Sequence, residues 1–271
     1  MLKEMHRGVI ITLVTILSPL YAASIGINRI RQEEHMKTFG KLLMGVTMFG
    51  IMLSSVVALE SKKFDFTSET PRAESKAFSA LVGDWRIDKD GSNLVYAVDG
   101  KERVPGLSAG ADGYARDLYG EKSAEFLKGI EALKDYPLTV CKEFQNFKNG
   151  TLTVSFKAIS GKGDQAAGIA FNIRQSGEYL AMRANALENN LGLFKFENGK
   201  RSPLQWAQDV PPPEREWHTL KVVIKKKKIE GYLDDKKYID YTYDDTIDGR
   251  IGLWSKADSY VFFNNSTVQS E

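Results

Sequence analysis

The chain has 271 residues, with 37 Lys and Arg against 35 Asp and Glu, which gives a formal net charge of +2 at pH 7. Because the two signs are interspersed, the sequence lacks the basic surface that nucleic-acid binding requires. The length allows one large domain or two small ones. The single cysteine, Cys141, excludes an internal disulfide. No histidine that could act as the base of a catalytic thiol lies near it in the sequence, so a core position is predicted.

The N-terminal part of the chain contains two apolar segments, and the second follows a basic stretch that starts at Met36. This second segment ends at Ala58 in the small-residue pattern that signal peptidase cleaves. Residues 36–58 are therefore predicted to be a signal peptide, and residues 1–35 to be misassigned upstream sequence. The alternative is a pair of membrane helices with the basic loop kept inside, so that an uncleaved N-terminal segment provides the contact with a membrane. Both interpretations predict an exported domain, periplasmic or secreted.

The remainder of the chain reads as one β domain preceded by a polar segment. Residues 59–77 lack periodicity, which predicts a linker or a lightly docked arm. In residues 78–271, short alternating runs recur between Gly, Asn and Asp turns, which is typical of an all-β, two-sheet antiparallel sandwich. One segment differs: residues 121–134 have helical spacing and end before Pro137. We expect this short helical insertion to pack over an edge or mouth of the β domain.

Three predicted strands in the middle of the chain, Gly168–Arg174, Glu178–Asn185 and Leu191–Glu197, carry an unusual set of side chains. Alternation along each strand puts amide, guanidinium and phenol groups on a common face. These groups belong to Asn172, Arg174, Tyr179, Arg183 and Asn185. Such groups need partners if they are buried, so this face is predicted to bind a ligand.

A sugar is the ligand that this composition favours, because aromatic rings pack on apolar sugar faces while amides, carboxylates and arginines bond the hydroxyls. The predicted ligand-binding residues are Asn172, Tyr179, Arg183, Asn185, Glu188, Asn189, Asn190 and Trp254. Further candidates for stacking are Trp206, Trp217 and Tyr232. Two alternatives stay open: Trp254 as a core residue of the sandwich, and the asparagines at 189 and 190 as turn formers.

Catalysis and metal binding have weaker support in the sequence. Glycoside hydrolysis uses two carboxylates that face one bond, and Glu188 with Asp164 is the candidate pair, although their spacing does not show that they converge. With His218 as the one histidine of the predicted domain, no transition-metal site and no cofactor are expected. The pairs Asp234-Asp235 and Asp244-Asp245 supply oxygens that calcium prefers, but such pairs are also common in turns.

The closing part of the chain contains a recognisable series of motifs. It reads Trp217-His218-Thr219-Leu220-Lys221-Val222, then Gly231-Tyr232-Leu233-Asp234, then Gly249-Arg250-Ile251-Gly252-Leu253-Trp254. This series resembles the concanavalin A-like lectin and glucanase jelly roll, and within it the LamG-like domains of unknown function 1080 type, described as 3-keto-disaccharide hydrolase domains. The resemblance covers about residues 82–268 and implies a jelly roll whose concave face meets carbohydrate. The chain departs from the family's usual form in the insertion around residues 113–135.

Three functions are compatible with these observations. The main prediction is an exported, non-catalytic domain that binds a saccharide or a similar polyhydroxylated ligand on its concave face. The second is a hydrolase or lyase that acts on a disaccharide-like 3-keto-glycoside, and the third is a structural or adhesion module. An acid pair of raised pKa in a cleft would favour the enzyme. A cleft lined by rings and amides without such a pair would favour binding, and a flat, filled face would favour the third function.

Overall fold

The computed structural model describes residues 60–101, 105–210 and 212–271. The predicted upstream segment, residues 1–35, and the predicted signal peptide, residues 36–58, lie outside the described residues. Within the described ranges, no helix is both long and apolar enough to cross a membrane.

Fifteen strands in two antiparallel sheets make up most of the described chain. The strands are β1 Glu60–Phe64, β2 Phe78–Val82, β3 Trp85–Asp90, β4 Asn93–Asp99, β5 Leu138–Cys141, β6 Gly150–Ser160, β7 Ala166–Ile173, β8 Tyr179–Asn185, β9 Asn190–Glu197, β10 Lys200–Gln208, β11 His218–Lys225, β12 Lys228–Leu233, β13 Lys236–Thr242, β14 Arg250–Ser255 and β15 Tyr260–Ser270. Two helices, α1 Ala111–Tyr119 and α2 Ser123–Glu131, are joined by the 3₁₀ turn Gly120–Lys122. The prediction of an all-β jelly-roll sandwich with one helical insertion is confirmed.

The first sheet has the strand order β13-β12-β11-β6-β15-β4-β3, with β1 paired to β15, and the second has the order β10-β9-β8-β7-β14-β5-β2. Alternating apolar residues of the two sheets, such as Val154 and Val222 of the first and Ile169 and Leu253 of the second, meet in one buried core. This alternation is what a sandwich with one core and two outer faces requires. Cys141 lies in this core and is fully buried, as predicted.

The arm that precedes the domain contributes a strand to the first sheet. Within residues 59–77, strand β1 pairs with β15 in the register Glu60↔Ser270 to Phe64↔Ser266. Phe64 and Phe66 are buried, and each packs against the Phe78 ring at centroid distances of 5.3 and 6.1 Å. Because most residues of the arm are polar and follow no period, periodicity alone does not predict that these two rings are buried.

Strand β7 departs from its predicted alternation at Asn172, which has a φ of +52°. The register of β7 with β14 shifts at this point, which marks a β-bulge. A bulge exchanges the faces on which the following side chains lie. Ile169 and Phe171 therefore belong to the core between the sheets, whereas Ile173 belongs to the apolar layer on the outer face. Asn172 is a bulge residue, whose Oδ1 accepts the backbone N–H of Asp248 at 3.0 Å.

The helical insertion packs on the outer face of the second sheet. It begins earlier than predicted, at residue 111 rather than 121, because α1 precedes the break at Gly120. Phe126 and Ile130 of α2 are fully buried in an apolar layer that also contains Tyr179 and Trp254. The insertion thus covers one part of the outer face. The part nearest the β8–β9 corner carries the polar side chains described next.

Candidate functional site

One row of residues crosses the outer face of the second sheet in register from β10 to β14. The row consists of Trp206, Gly192, Arg183, Gly168 and Trp254. The two glycines flank the arginine and leave room for the large side chains beside them. A Cβ at Gly192 would lie 2.6 Å from the Phe194 ring and 3.1 Å from the Trp206 ring, and one at Gly168 would lie 3.0 Å from the Trp254 ring.

Arg183 is fully buried near the centre of this row. Its Nη2 donates to Oε2 of Glu188 at 2.8 Å and to Oδ1 of Asn190. Its guanidinium lies 5.0 Å from the Trp206 ring centroid and 5.1 Å from that of Phe194. Nε and Nη1 are buried and have no acceptor among the described protein groups. A buried donor without a partner costs about 1–3 kcal/mol, so these nitrogens favour an additional acceptor at this place.

Asn185 holds the β8–β9 corner against the strands around it. Its Oδ1 accepts the backbone N–H of Leu187 at 3.1 Å and that of Glu188 at 3.4 Å. Its Nδ2 donates to Oδ1 of Asp164 at 3.0 Å, and the same carboxylate oxygen accepts from Nζ of Lys256 at 2.8 Å. We call the connected side chains the polar cluster. Its members are Asp164, Arg183, Asn185, Glu188, Asn190 and Lys256.

The two candidate catalytic carboxylates meet at one lysine. Nζ of Lys256 lies 2.8 Å from Asp164 and 3.7 Å from Oε1 of Glu188. Partial burial acts to raise the pKa of Glu188, but the charge of Arg183 and the hydrogen bonds from Asn190 and Arg183 outweigh it and hold the pKa below its ordinary value. Glu188 therefore stays ionised near neutral pH, which is unsuited to a general acid.

The stability advantage of the wild type over Glu188→Gln is expected to shrink as the pH falls from 7 to 3. Because the folded-state pKa of Glu188 is lowered, its carboxylate stabilises the fold above the unfolded-state pKa of about 4.3. That contribution is lost as the pH falls through the folded-state pKa. Urea denaturation at several pH values measures it, with Glu197→Gln as a control that removes a half-exposed carboxylate paired with Lys195. A pH-independent difference would contradict the expectation.

A cleft of about 390 Å³ adjoins the polar cluster, which is within the usual size range of small-molecule sites. Its lining includes Tyr136, Asp164, Lys256 and Asp258. Asp258 accepts the backbone N–H groups of residues 162–164, at 2.7 to 3.2 Å, and so fixes the turn at the rim. These bonds orient the cleft wall.

Two more side chains extend the site from the cleft across the sheet. The guanidinium of Arg201 lies 5.6 Å from the Tyr136 ring centroid and 5.0 Å from that of Phe194. Trp206, which packs on Phe194 and Arg183, leaves 37% of its surface exposed. An exposed ring next to ordered charged groups can hold the apolar face of a ligand and bond its polar edge.

A neighbouring cleft of about 450 Å³ is lined by Asp84, Arg86 and Asp99, among others. Here the charged groups pair with one another, since Arg86 lies 2.8 Å from both Asp84 and Asp99. These three charged groups of the second cleft are therefore already engaged with one another. The polar cluster and its own cleft remain the better candidate.

The structure brings together only part of the predicted site. Four predicted ligand-binding residues, Arg183, Asn185, Glu188 and Asn190, belong to the polar cluster, together with the catalytic candidate Asp164. The Arg174 side chain, predicted on the same face, instead pairs with Asp245 at 2.7 Å.

The remaining predicted residues lie elsewhere. Tyr179 and Trp254 are 2% and 0% exposed beneath the helical insertion, where Nε1 of Trp254 donates to the Tyr179 hydroxyl at 3.3 Å. Neither ring is open to a ligand in this conformation, which agrees with the alternative of a core role for Trp254. Asn189 has a φ of +50° and its carbonyl accepts the N–H of Val210 at 2.9 Å, as a turn former does. Asn172 occupies the β7 bulge.

Sequence reasoning missed Lys256 and Arg201. Lys256 follows Trp254 by two residues and lies one residue after the end of β14. Continuing the alternation of β14 by one residue could have placed it on the outer face. Arg201 and Trp206 are five residues apart in β10, yet both reach Phe194 because the register of β10 with β9 shifts between Pro203 and Gln205. Proline within a strand is confined to edge strands and bulges, so Pro203 is a local signal that could have pointed to this irregularity.

Metal ligands do not cluster in the part of the chain that the structure describes, where no group of three His, Cys, Asp or Glu side chains converges. The predicted calcium oxygens have other partners: Asp234 lies 2.7 Å from Nδ1 of His218, and Asp245 lies 2.7 Å from Arg174. Calcium binding stays a prediction.

Comparisons with known proteins agree with this architecture. A family model described as the 3-keto-alpha-glucoside-1,2-lyase-like domain matches residues 85–269. Among solved structures, the chain is similar to the carbohydrate-binding module CBM66 from Bacillus subtilis, with 17% identity and a TM-score of 0.51 over 72% of this chain and 99% of that one. It is also similar to a Bacillus licheniformis β-glucanase, with 12% identity and a TM-score of 0.43 over 79% and 93% of the two chains. A search of the curated proteins found no match.

Proposed function

Because the chain belongs to the family of 3-keto-alpha-glucoside-1,2-lyase-like domains, we propose that it binds a saccharide at the polar cluster. The observation that carries this proposal is the exposed ring of Trp206 beside Arg183, whose Nε and Nη1 have no acceptor among the described protein groups. Sugars combine an apolar ring face with hydroxyl oxygens, which is the chemistry that this pair would match. Export of the domain, predicted from residues 36–58, belongs to the same proposal.

The ligand would lie across Trp206 and extend toward the cleft of Tyr136 and Lys256. Glu188, whose side chain is 36% exposed, would accept hydrogen bonds from sugar hydroxyls while Arg183 keeps it ionised and oriented. The unpartnered nitrogens of Arg183 are covered in this structure, with the Trp206 ring centroid 5.0 Å away. A rotation of the Trp206 ring would let a hydroxyl oxygen reach these two nitrogens. The sugar ring would then stack on Trp206 while its hydroxyl accepts a hydrogen bond from Arg183.

Trp206→Ala is expected to weaken saccharide binding by about thirtyfold, because loss of an anchoring aromatic side chain typically costs ~2 kcal/mol. The measurement is a glycan array with the full chain, followed by titration calorimetry on the glycans that bind. Trp217→Ala is the matched control, since Trp217 is a 40% exposed tryptophan that directly precedes β11 of the other sheet. Equal losses in the two variants would contradict the proposed site. An absence of glycan binding by folded wild type would favour the adhesion module.

A second candidate, a lyase or hydrolase acting on a 3-keto-glycoside, is favoured by the description of the family. Such chemistry needs a group that takes up or delivers a proton at the reacting bond. The lowered pKa of Glu188 is unfavourable for proton delivery, which is why binding comes first. Incubation of the full chain with 3-keto-glycosides and chromatography of the products tests the second candidate. Cleavage that disappears in Glu188→Gln would replace the binding proposal by the enzyme.

A further inference from the structure

Among the cations that the structure describes at the site, Arg201 differs from the other two in its pairing. The charge of Arg183 is matched by Glu188 at 2.8 Å, and that of Lys256 by Asp164 at 2.8 Å. Within the described residues, Arg201 forms no ion pair with a carboxylate. Two further acids line the cleft, Asp135 and Asp258, and Asp258 accepts three backbone N–H groups.

The guanidinium of Arg201 is set into the site rather than extended into solvent. It lies against the rings of Tyr136 and Phe194 at 5.6 and 5.0 Å, and its Nη1 is buried without an acceptor among the described groups. Arg183 lies against the same Phe194 ring at 5.1 Å. Burial of Arg183 is the main cause that lowers its pKa, and the nearby charge of Arg201 lowers it further.

Two neighbouring guanidiniums with unsatisfied donors form a site for an oxyanion. A buried charge is costly unless it is paired, and arginine pairs best with planar carboxylates or with phosphate and sulfate oxygens through parallel hydrogen bonds. A neutral sugar would leave Arg201 without a directly paired anion. An acidic group would supply that anion and would satisfy Nη1 at the same time.

We propose that the ligand is an acidic saccharide, whose anionic group binds Arg201 beside Arg183 while its ring packs on Trp206. This inference rests on the proposed function and narrows its ligand class. Uronate carboxylates and sulfate esters share the required chemistry.

The test is an array of neutral oligosaccharides and their uronate and sulfate-ester counterparts, probed with the full chain and with Arg201→Gln. Acidic glycans are expected to bind the wild type at least about tenfold more tightly than their neutral counterparts, because a hydrogen bond between charged groups contributes about that factor. Arg201→Gln is expected to remove the difference in affinity between acidic and neutral glycans. Lys200→Gln, a loss of the same charge from an exposed neighbour, is the control and should keep the preference.

The outcomes separate the two proposals. A preference for uronates or for sulfates that depends on Arg201 supports the inference and identifies the anionic group. Equal binding of acidic and neutral glycans, or equal effects of the two variants, overturns this inference and leaves saccharide binding intact. Absence of binding to every glycan by folded wild type overturns both.

Discussion

Trp254→Ala is expected to lower the free energy of unfolding by about 3–5 kcal/mol, as truncation of a fully buried tryptophan usually does. Trp254 is 0% exposed and joins the second sheet to the layer above it. Its ring stacks on Tyr136 at a centroid distance of 5.8 Å and packs on Phe196 at 5.7 Å. The alanine would leave a large cavity and would remove the indole N–H that donates to the Tyr179 hydroxyl. Urea denaturation followed by fluorescence and by circular dichroism measures the loss.

The control for this prediction is Trp217→Ala, the same truncation at a position that is 40% exposed. Its indole Nε1 donates to Asp90 at 3.0 Å at the surface, so a loss of less than about 1 kcal/mol is expected. A loss in Trp254→Ala as small as that in Trp217→Ala would show that the outer layer contributes little to stability. The helical insertion would then be a loosely attached cover rather than part of the folded unit.

The sequence predicted the sandwich because its signals are local. Alternation and turn residues are both set by neighbouring positions, and β8 keeps its alternation from Tyr179 to Asn185 without a bulge. For that reason Arg183 and Asn185 were correctly predicted to share a face. The corner that follows reverses the chain and brings Glu188 and Asn190 within hydrogen-bond distance of Arg183.

The rest of the site depends on contacts between distant parts of the chain. Lys256 and Asp164 are 92 positions apart, and their pairing follows from the order of β7 and β14 in the sheet. Bulges in β7 and β10 move Asn172 off the predicted face and bring Trp206 onto it. Each bulge shifts the alternation by one residue, which a reading of regular periodicity cannot anticipate. Burial of Trp254 depends on where the helical insertion packs, which is again a tertiary contact.

Asn185→Leu is expected to cost about 3–5 kcal/mol, although leucine has nearly the same size as asparagine. The Oδ1 of Asn185 accepts three backbone N–H groups, those of Gln165, Leu187 and Glu188, at 3.1 to 3.4 Å. Its Nδ2 donates to Asp164 at 3.0 Å. Leucine would leave the buried N–H of Gln165 and the part-buried N–H groups of Leu187 and Glu188 without this acceptor, and Asp164 without one of its donors, at about 1–3 kcal/mol for each fully unsatisfied group. Urea denaturation at pH 7 measures the loss, which should vary little between pH 4 and pH 7.

Asn185→Asp tests the donor of this side chain separately from its acceptor, because aspartate keeps an accepting oxygen and donates only when it is protonated. The stability of the variant is therefore expected to depend on pH. The new carboxylate would still accept the three N–H groups, which act to lower its folded-state pKa. Burial and the facing charge of Asp164 act to raise it, and we expect these two effects to place it above the unfolded value of about 3.9. Near pH 4 the protonated acid can donate to Asp164 as the amide does, and stability should approach that of the wild type. As the pH rises toward 7 the variant is expected to lose stability relative to the wild type, because its unfolded state releases the proton more readily. A deficit that is the same at pH 4 and pH 7 would show that the bond to Asp164 does not hold the corner.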